Sequence, residues 1–414
     1  MSAAPPRARA AYATVTAAYW AFMLSDGALR MLVLLHFDQL GFSPIAIAWL
    51  FLGYEVAGIV TNLSAGWLAA RFGLTATLYA GLAVQVAALV ALARLDPGWG
   101  IALSVAWVMA AQTLSGVAKD LTKMAAKSAV KVLAPAGQGG LFRWVAVLTG
   151  SKNAVKGAGF FLGAALLAGF GFHAAIWAMA GVLAVILVAA VAFMPPGLPR
   201  GRRGARFAEM RSRDPRINRL SAARMFLFGA RDVWFVVGVP VYFGAALSDG
   251  TAAGHRLAFF LVGGFMAAWV IGYGAVQAAA PRLLAAATRP EHEIVALAAR
   301  WGLPLVGIPL VLAGLSLVAG ASAGWLTLVL VLGLLAFGFV FAVVSAAHSY
   351  LILAFSRTER VAMDVGFYYM SNAAGRLLGT LLSGVSYQVG GLALCLATAA
   401  AMAAAAWATG RRIG

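Results

Sequence analysis

The sequence predicts an all-α polytopic membrane protein, and three observations carry that prediction. Over 414 residues, 63% are hydrophobic and 11% charged, with a mean hydropathy of +0.90. A soluble chain of this length could not bury so much apolar surface. Apolar runs of roughly 20 residues recur along the whole chain, each long enough to cross a hydrocarbon core of about 30 Å. Lys and Arg collect in alternate breaks between these runs, as the positive-inside rule requires.

In chain order the runs predict spans at 13–37, 44–68, 75–94, 100–122, 141–169, 174–194, 219–243, 257–280, 301–320, 325–349, 364–388 and 391–409. The first follows Arg7 and Arg9 as a signal peptide would. It contains Asp26 and Arg30, exceeds the usual apolar length and lacks a convincing cleavage site, so it is expected to be retained. Short turns such as GFSP after Leu40 and DPGWG after Leu95 join the spans. The long break, Pro195 to Arg219, carries eight arginines against Glu209 and Asp214. It divides the chain into 1–194, an N-terminal six-helix bundle, 195–218, an Arg-rich linker, and 219–414, a C-terminal six-helix bundle. Basic residues also gather near the N-terminus, at Arg71, from Lys119 to Arg143, from Arg282 to Arg300, at Arg357 and Arg360, and at Arg411 and Arg412. Both termini and the linker are therefore expected in the cytoplasm, and the net charge of +18 reads as topology rather than nucleic-acid binding. Cys395 stands alone in an apolar run, which predicts a buried inert thiol.

The halves repeat faintly. FMLSDGALRMLVLLHF lies on FGARDVWFVVGVPVYF with Asp26 on Asp232 and Phe37 on Phe243, and SKNAVKGAG is similar to SNAAGRLLG around Asn153 and Asn372. Six plus six spans with a repeat is transporter architecture. The segment GWLAARFGLTATL then resembles the loop 2–3 signature of the major facilitator superfamily, through Gly66, Leu68, Ala69, Arg71 and Gly73. The family's aspartate is Ala70 here, and its following basic pair is Leu74 and Thr75. The resemblance implies a fold of twelve transmembrane helices in two pseudo-symmetric bundles, with Gly66, Arg71 and Gly73 as a gating motif.

A cation at mid-span costs about 2.5–3.5 kcal/mol on insertion scales, so it normally faces a cavity. Spans 3, 6, 9 and 12 have no charged residue in their interiors. Those spans face lipid in the superfamily, and the charges sit in spans 1, 2, 4, 5, 7 and 11. At a rise of about 1.5 Å per residue, Arg231 lies about 18 Å inside span 7, and Arg376, Lys152 and Asp26 lie similarly deep, with Arg30 and Lys156 one turn further out. The candidate anion-binding residues are Arg30, Lys119, Lys123, Lys152, Lys156, Arg224, Arg231 and Arg376, with Asn153, Asn372, Tyr19 and Tyr368 as neutral donors. They outnumber the acidic residues Asp26, Glu55 and Asp232. Those three, with His348, are the candidates for charge pairing or proton coupling, and Asp26 and Arg30 are spaced i,i+4 for a pair. Lysines 119, 123, 127 and 131 form a stripe; the last two are read as lipid-headgroup or topological charges. All six lysines lie between 119 and 156, a placement that favours a compact ammonium there.

There is no phosphate-loop motif, no metal-ligand spacing and no nucleophile elbow. No ATPase, metal, cofactor or enzymatic activity is expected. Stretches across the chain, densest in YWAFMLSDGALRMLVLLHFDQLGFSP, TLSGVAKDLTKMAAKSAVK and LTGSKNAVKGAGFFLG, resemble the organoarsenical efflux permeases of arsenic-resistance operons (the ArsJ type). That resemblance implies export of 1-arseno-3-phosphoglycerate from the inner membrane of a bacterium. It further implies a functional link to glyceraldehyde-3-phosphate dehydrogenase, which makes that ester from arsenate. The expected partners are this small anion and the bilayer, with the chain a monomer. The rival readings are a phosphate-ester importer or anion exchanger, a proton-coupled drug exporter, and a membrane anion sensor.

Overall fold

The computed structural model describes residues 6–96, 98–133, 140–195, 214–284, 289–319, 324–356 and 361–413. The N-terminal half comprises α1 (Pro6–Gln39), α2 (Pro44–Phe72), α3 (Leu74–Ala93), α4 (Ile101–Leu133), α5 (Gly140–Phe170) and α6 (Phe172–Phe193). The C-terminal half begins with α7 (Pro215–Val233), a π-helical turn (Trp234–Gly238) and α8 (Val239–Ala246), which run on as one span. It continues with α9 (Ala252–Leu283), α10 (Glu291–Val318), α11 (Gly324–Phe355) and α12 (Val361–Gly410). Among the described residues, eleven helical segments are long and apolar enough to cross a membrane. Most of the expected linker, and the segment holding Arg357 and Arg360, lie outside the described residues. So do the side chains of Arg7, Arg9, Arg71, Lys127, Lys131 and Arg143.

Each boundary has a local cause. Gly73 separates α2 from α3 with φ 88°, a left-handed conformation that glycine adopts without a Cβ clash. This is the described part of the Gly66–Arg71–Gly73 motif, whose first residues end α2. The first helix after the linker starts at Pro215 rather than at the expected 219. Asp214 caps it, its carboxylate accepting from Arg216 N at 2.8 Å, and Pro215 stands where no intrahelical N–H is needed. Asp214→Ala is expected to destabilise the protein by about 1 kcal/mol, read as a lowered melting temperature in detergent.

The π-helical turn precedes Pro240, which has no N–H to continue the ladder. Ser383 Oγ on α12 accepts from Val237 N and Gly238 N at 3.1 and 3.2 Å. The last two expected spans fall on one element of 50 residues. Its backbone leaves helical geometry at Gly390 and Gly391, the latter with φ 59°.

Within the first half, α1 packs on α4, α5 and α6, and α4 on α2 and α3; within the second, α12 packs on α7 and α10, and α11 on α9 and α10. The halves meet mainly through α5 with α9 and α2 with α12, with smaller contacts of α2 with the π-helical turn and of α1 with α8. Both intra-half crossings that flank the centre depend on glycine. Gly159 and Gly163 of α5 lie against the α1 backbone near Leu24 and Ala28, and Gly375 and Gly379 of α12 lie against α7 near Met225 and Gly229. The core of the second half is aromatic: Trp234 meets Trp269 and Phe337 edge-on at centroid distances of 5.3 and 5.7 Å.

Burial varies among the helices without dividing them cleanly, the α5 window being only 33% buried. In the hydrophobic windows of α1 and of Pro215–Ala246, 78% of residues are buried, against 28% for α6 and for α10. The expectation of lipid-facing spans suits α6 and α10. In α3 the share is 50%, because it packs on both α4 and α6.

Candidate functional site

The ionisable side chains inside the spans converge where the halves meet. On α1, Asp26 and Arg30 are both buried, but the i,i+4 pair expected between them does not form. Asp26 accepts hydrogen bonds from Lys156 Nζ of α5 and from Tyr54 Oη of α2, each at 2.6 Å. Arg30 Nη2 donates to Glu55 Oε1 of α2 at 2.8 Å. Neighbouring helices project these partners head-on at hydrogen-bond distance. In a low-dielectric interior such charge-assisted bonds outweigh a pairing along one helix.

The second half repeats the motif. Laying SKNAVKGAG on SNAAGRLLG puts Lys156 on Arg376, and Asp26 corresponds to Asp232. Arg376 Nε duly reaches Asp232 Oδ2, at 3.4 Å. Arg376 departs from the symmetry in one respect: its Nη2 crosses between the halves to Glu55 Oε1 at 2.5 Å. Asp232 also holds Arg231, at 2.5 Å. Thus Glu55 and Asp232 are bridged by one guanidinium.

Helix α4 brings a carboxylate that was absent from the expected set. Asp120 accepts from Lys123 Nζ at 2.5 Å and from Thr61 Oγ1 at 2.7 Å, while Lys123 also donates to Asn62 Oδ1 at 2.6 Å. The i,i+3 spacing of Asp120 and Lys123 is the signal that could have found it. Lys119, one turn from Lys123 and beside Asp120, has no carboxylate within 4.0 Å among the described residues. Its Nζ lies 4.0 Å from the centroid of the Tyr54 ring, a cation–π contact. Arg30 and Arg376 stand 5.4 and 6.0 Å from the same ring. Tyr54, one of several aromatics the sequence offered as cavity walls or phenolic donors, is therefore the ring that these three cations share.

Arg224 is held by neutral groups. Its Nε donates to Asn372 Oδ1 at 3.0 Å, and its Nη1 to Ser345 O and Oγ, both at 2.9 Å. The guanidinium lies 4.0 Å from the Phe228 centroid and 5.1 Å from that of Tyr368. Gln277 of α9 donates to Ser345 Oγ and accepts from Asn153 Nδ2, both at 3.3 Å. This chain of bonds ties α5 of the first half to Arg224, and neither Gln277 nor Ser345 stood out in the sequence.

Three more of the expected residues lie on α1, α11 and α5. Tyr19 is buried in the first half's core. His348 is buried on α11, its Nδ1 without a hydrogen-bond partner among the described residues. With Leu227 and Trp407 it lines a small, mostly apolar cavity of about 20 Å³. Lys152 is half-buried on α5, one turn from Lys156.

Charge and exposure are both asymmetric. Seven cations (Arg30, Lys119, Lys123, Lys156, Arg224, Arg231 and Arg376) gather with four carboxylates (Asp26, Glu55, Asp120 and Asp232). The side chains of Lys156, Arg376 and Arg231 are 17, 16 and 14% exposed, whereas those of Asp26, Glu55 and Asp232 are 2, 0 and 0% exposed. The carboxylates are sealed behind the cations, whose edges face open space. An arrangement of this kind attracts and holds an anion.

At the end where α1 terminates, the halves close on each other. Ile45 N donates to Gln388 Oε1 at 3.2 Å. A Cβ on Gly384 would sit 2.6 Å from Pro44 O, and one on Gly244 would sit 3.5 Å from Asp38 Oδ2. Phe160 and Phe235, at a centroid distance of 6.0 Å, bridge the halves beneath Lys156 and Arg231.

This architecture is that of known membrane transporters. The chain superposes on the nucleoside transporter NupG with a TM-score of 0.73 and 14% identity, covering 97% of this chain and 99% of that one. It superposes on a POT-family transporter in complex with a thioalcohol-conjugated peptide at 0.74, with 12% identity and coverage of 97% and 95%. A proton-dependent oligopeptide transporter gives 0.69, with 14% identity and coverage of 97% and 98%. No family model and no curated relative matches the chain. The chain is a polytopic helical protein that shares the fold of these transporters.

Proposed function

We propose that the chain is a secondary transporter that exports a phosphorylated organic anion, with 1-arseno-3-phosphoglycerate as its substrate and arsenate resistance as the outcome. The cation excess between the halves, with the cations' edges exposed and the carboxylates sealed behind them, carries this reading. Arsenate and phosphate groups together bring about three negative charges, which Arg and Lys grip through charge-assisted hydrogen bonds. Counting the limbs of α12 on either side of Gly390 and Gly391 as separate spans gives twelve, six in each half. Both termini then lie in the cytoplasm of a bacterium whose inner membrane holds the protein as a monomer. The halves rock about the central site to give alternating access.

At a membrane potential of about 100 mV, inside negative, each departing negative charge gains about 2.3 kcal/mol. A trianion gains about 7 kcal/mol, equivalent to a gradient of about 10⁵. Export therefore needs no coupled proton. In inside-out vesicles supplied with glyceraldehyde-3-phosphate dehydrogenase, its substrates and arsenate, the protein is expected to accumulate phosphorus label when an inside-positive potential is imposed. Accumulation that ignores the potential and follows a pH gradient would favour a proton-coupled exporter instead. That second reading draws on Glu55 Oε2, which is buried without a hydrogen-bond partner among the described residues, and on the proton-dependent transporters of like fold. Equal uptake without the dehydrogenase would point to an importer or exchanger of the phosphate ester itself.

A further inference from the structure

We propose that Lys119 and Arg224 are the two cations that grip the transported anion, one from each half, while the ion-paired cations form the frame around them. This deepens the anion-transport reading and rests on it. Arg30, Lys123, Lys156, Arg231 and Arg376 each sit within 4.0 Å of a carboxylate. Lys119 and Arg224 do not, although they are 9 and 5% exposed.

A buried charge without a counter-charge is among the more expensive features a membrane protein can carry, and it persists where a ligand completes it. Neither cation is ion-paired among the described residues: Lys119 lies against the Tyr54 ring with Asp120 nearby but not within 4.0 Å, and Arg224 is surrounded by the neutral groups of Asn372, Ser345, Phe228 and Tyr368. These contacts orient the heads without cancelling their charge, which leaves both available to an incoming anion.

The two positions converge on one short stretch of α12. A Cβ on Gly58 of α2 would lie 3.5 Å from Lys119 Nζ, 3.6 Å from Asp120 Oδ2 and 4.0 Å from Ala373 Cβ, so the absent side chain leaves a recess beside Lys119, with Asp120 on its other side, where α2 meets α12. Ala373 is the chain neighbour of Asn372, which holds Arg224 at 3.0 Å. An elongated anion with an acidic group at each end can meet Lys119 with one and Arg224 with the other. It thereby joins the two halves, and binding is coupled to their relative movement. A compact anion with one acidic centre, such as inorganic phosphate, offers only one group to the pair.

The test is equilibrium binding to the purified, detergent-solubilised protein, with 3-phosphoglycerate as a stable two-centre probe and inorganic phosphate as the single-centre one. The wild type is expected to bind 3-phosphoglycerate at least tenfold more tightly than phosphate. Lys119→Gln and Arg224→Gln are each expected to weaken the former at least tenfold. Wild-type affinity in either variant overturns the assignment, and equal binding of the two probes overturns the two-centre geometry. If the wild type binds neither probe, the anion-transport reading itself fails. Should a variant not fold, wild-type protein decides: saturating 3-phosphoglycerate is expected to protect Lys119 from reductive methylation, read by mass spectrometry. Unprotected Lys119 overturns the proposal.

Discussion

Glu55→Ala is expected to abolish transport and to cost about 3–5 kcal/mol of stability, the penalty for stripping a buried ion pair of one partner. Glu55 is fully buried and receives guanidinium groups from Arg30 at 2.8 Å and Arg376 at 2.5 Å. Its removal leaves Arg30 with only the Phe51 and Tyr54 rings, and leaves Arg376 with Asp232 at 3.4 Å. It also deletes a charge contact between the halves. Glu55→Gln keeps the shape and one acceptor, and should recover part of the stability. Because the link to Arg376 is then uncharged, the closed end of the bundle should open more often. A cysteine at Ala48, which is fully buried against Gly384 of α12 at that end, should then label faster with a thiol reagent. The native Cys395 is fully buried and contributes little background. Unchanged labelling together with an unchanged melting temperature would contradict the role assigned to Glu55.

Gly375→Val is expected to prevent assembly of the second half, with a loss of at least about 3 kcal/mol, the upper end of the usual overpacking range. A Cβ at Gly375 would meet the backbone carbonyl of Met225, with the Met225 Cα 2.8 Å away. Backbone cannot rotate aside as a side chain can, so α12 would have to separate from α7. That separation would pull Arg376 from Asp232 and Asn372 from Arg224, since each pair spans the same two helices. The variant should express poorly or melt at markedly lower temperature. Gly366→Val, on the same helix with nothing within 4 Å of its added Cβ, supplies the comparison and should be tolerated. Equal stability of the two variants would show that the close crossing carries little weight.

Much of the architecture was legible because its signals are local. Twenty apolar residues in a row are long enough to span a bilayer whatever surrounds them, and the glycine at 73 ends a helix by its own backbone freedom. The repeat was also legible. Asp26 on Asp232, read from two strings, reappears as Asp26 with Lys156 and Asp232 with Arg376. Where local signals misled, a neighbouring element intervened. The helix after the linker starts at Pro215 because Asp214 caps it, and the span from Pro215 passes through a π-helical turn because Pro240 interrupts the ladder and Ser383 accepts the displaced donors. The site was legible in membership far more than in connectivity. Asp120 went unnoticed among flanking lysines, and Gln277 and Ser345 are neutral residues on apolar helices, visible only through Arg224 and Asn153.

By itself the sequence determined that the chain is helical and apolar, where its spans fall, and that its central helices carry more positive than negative charge. Composition and span length are properties of a single helix in a bilayer, which makes them readable in one dimension. Only the tertiary structure decided that Arg30 turns to Glu55 rather than to Asp26, that Arg376 bridges the halves, and that Lys119 and Arg224 are left without an ion-paired carboxylate among the described residues. Those outcomes depend on how each helix is rotated about its axis and how closely glycine lets it approach its neighbour. A charge in a low-dielectric interior takes the partner those two quantities bring within about 3 Å.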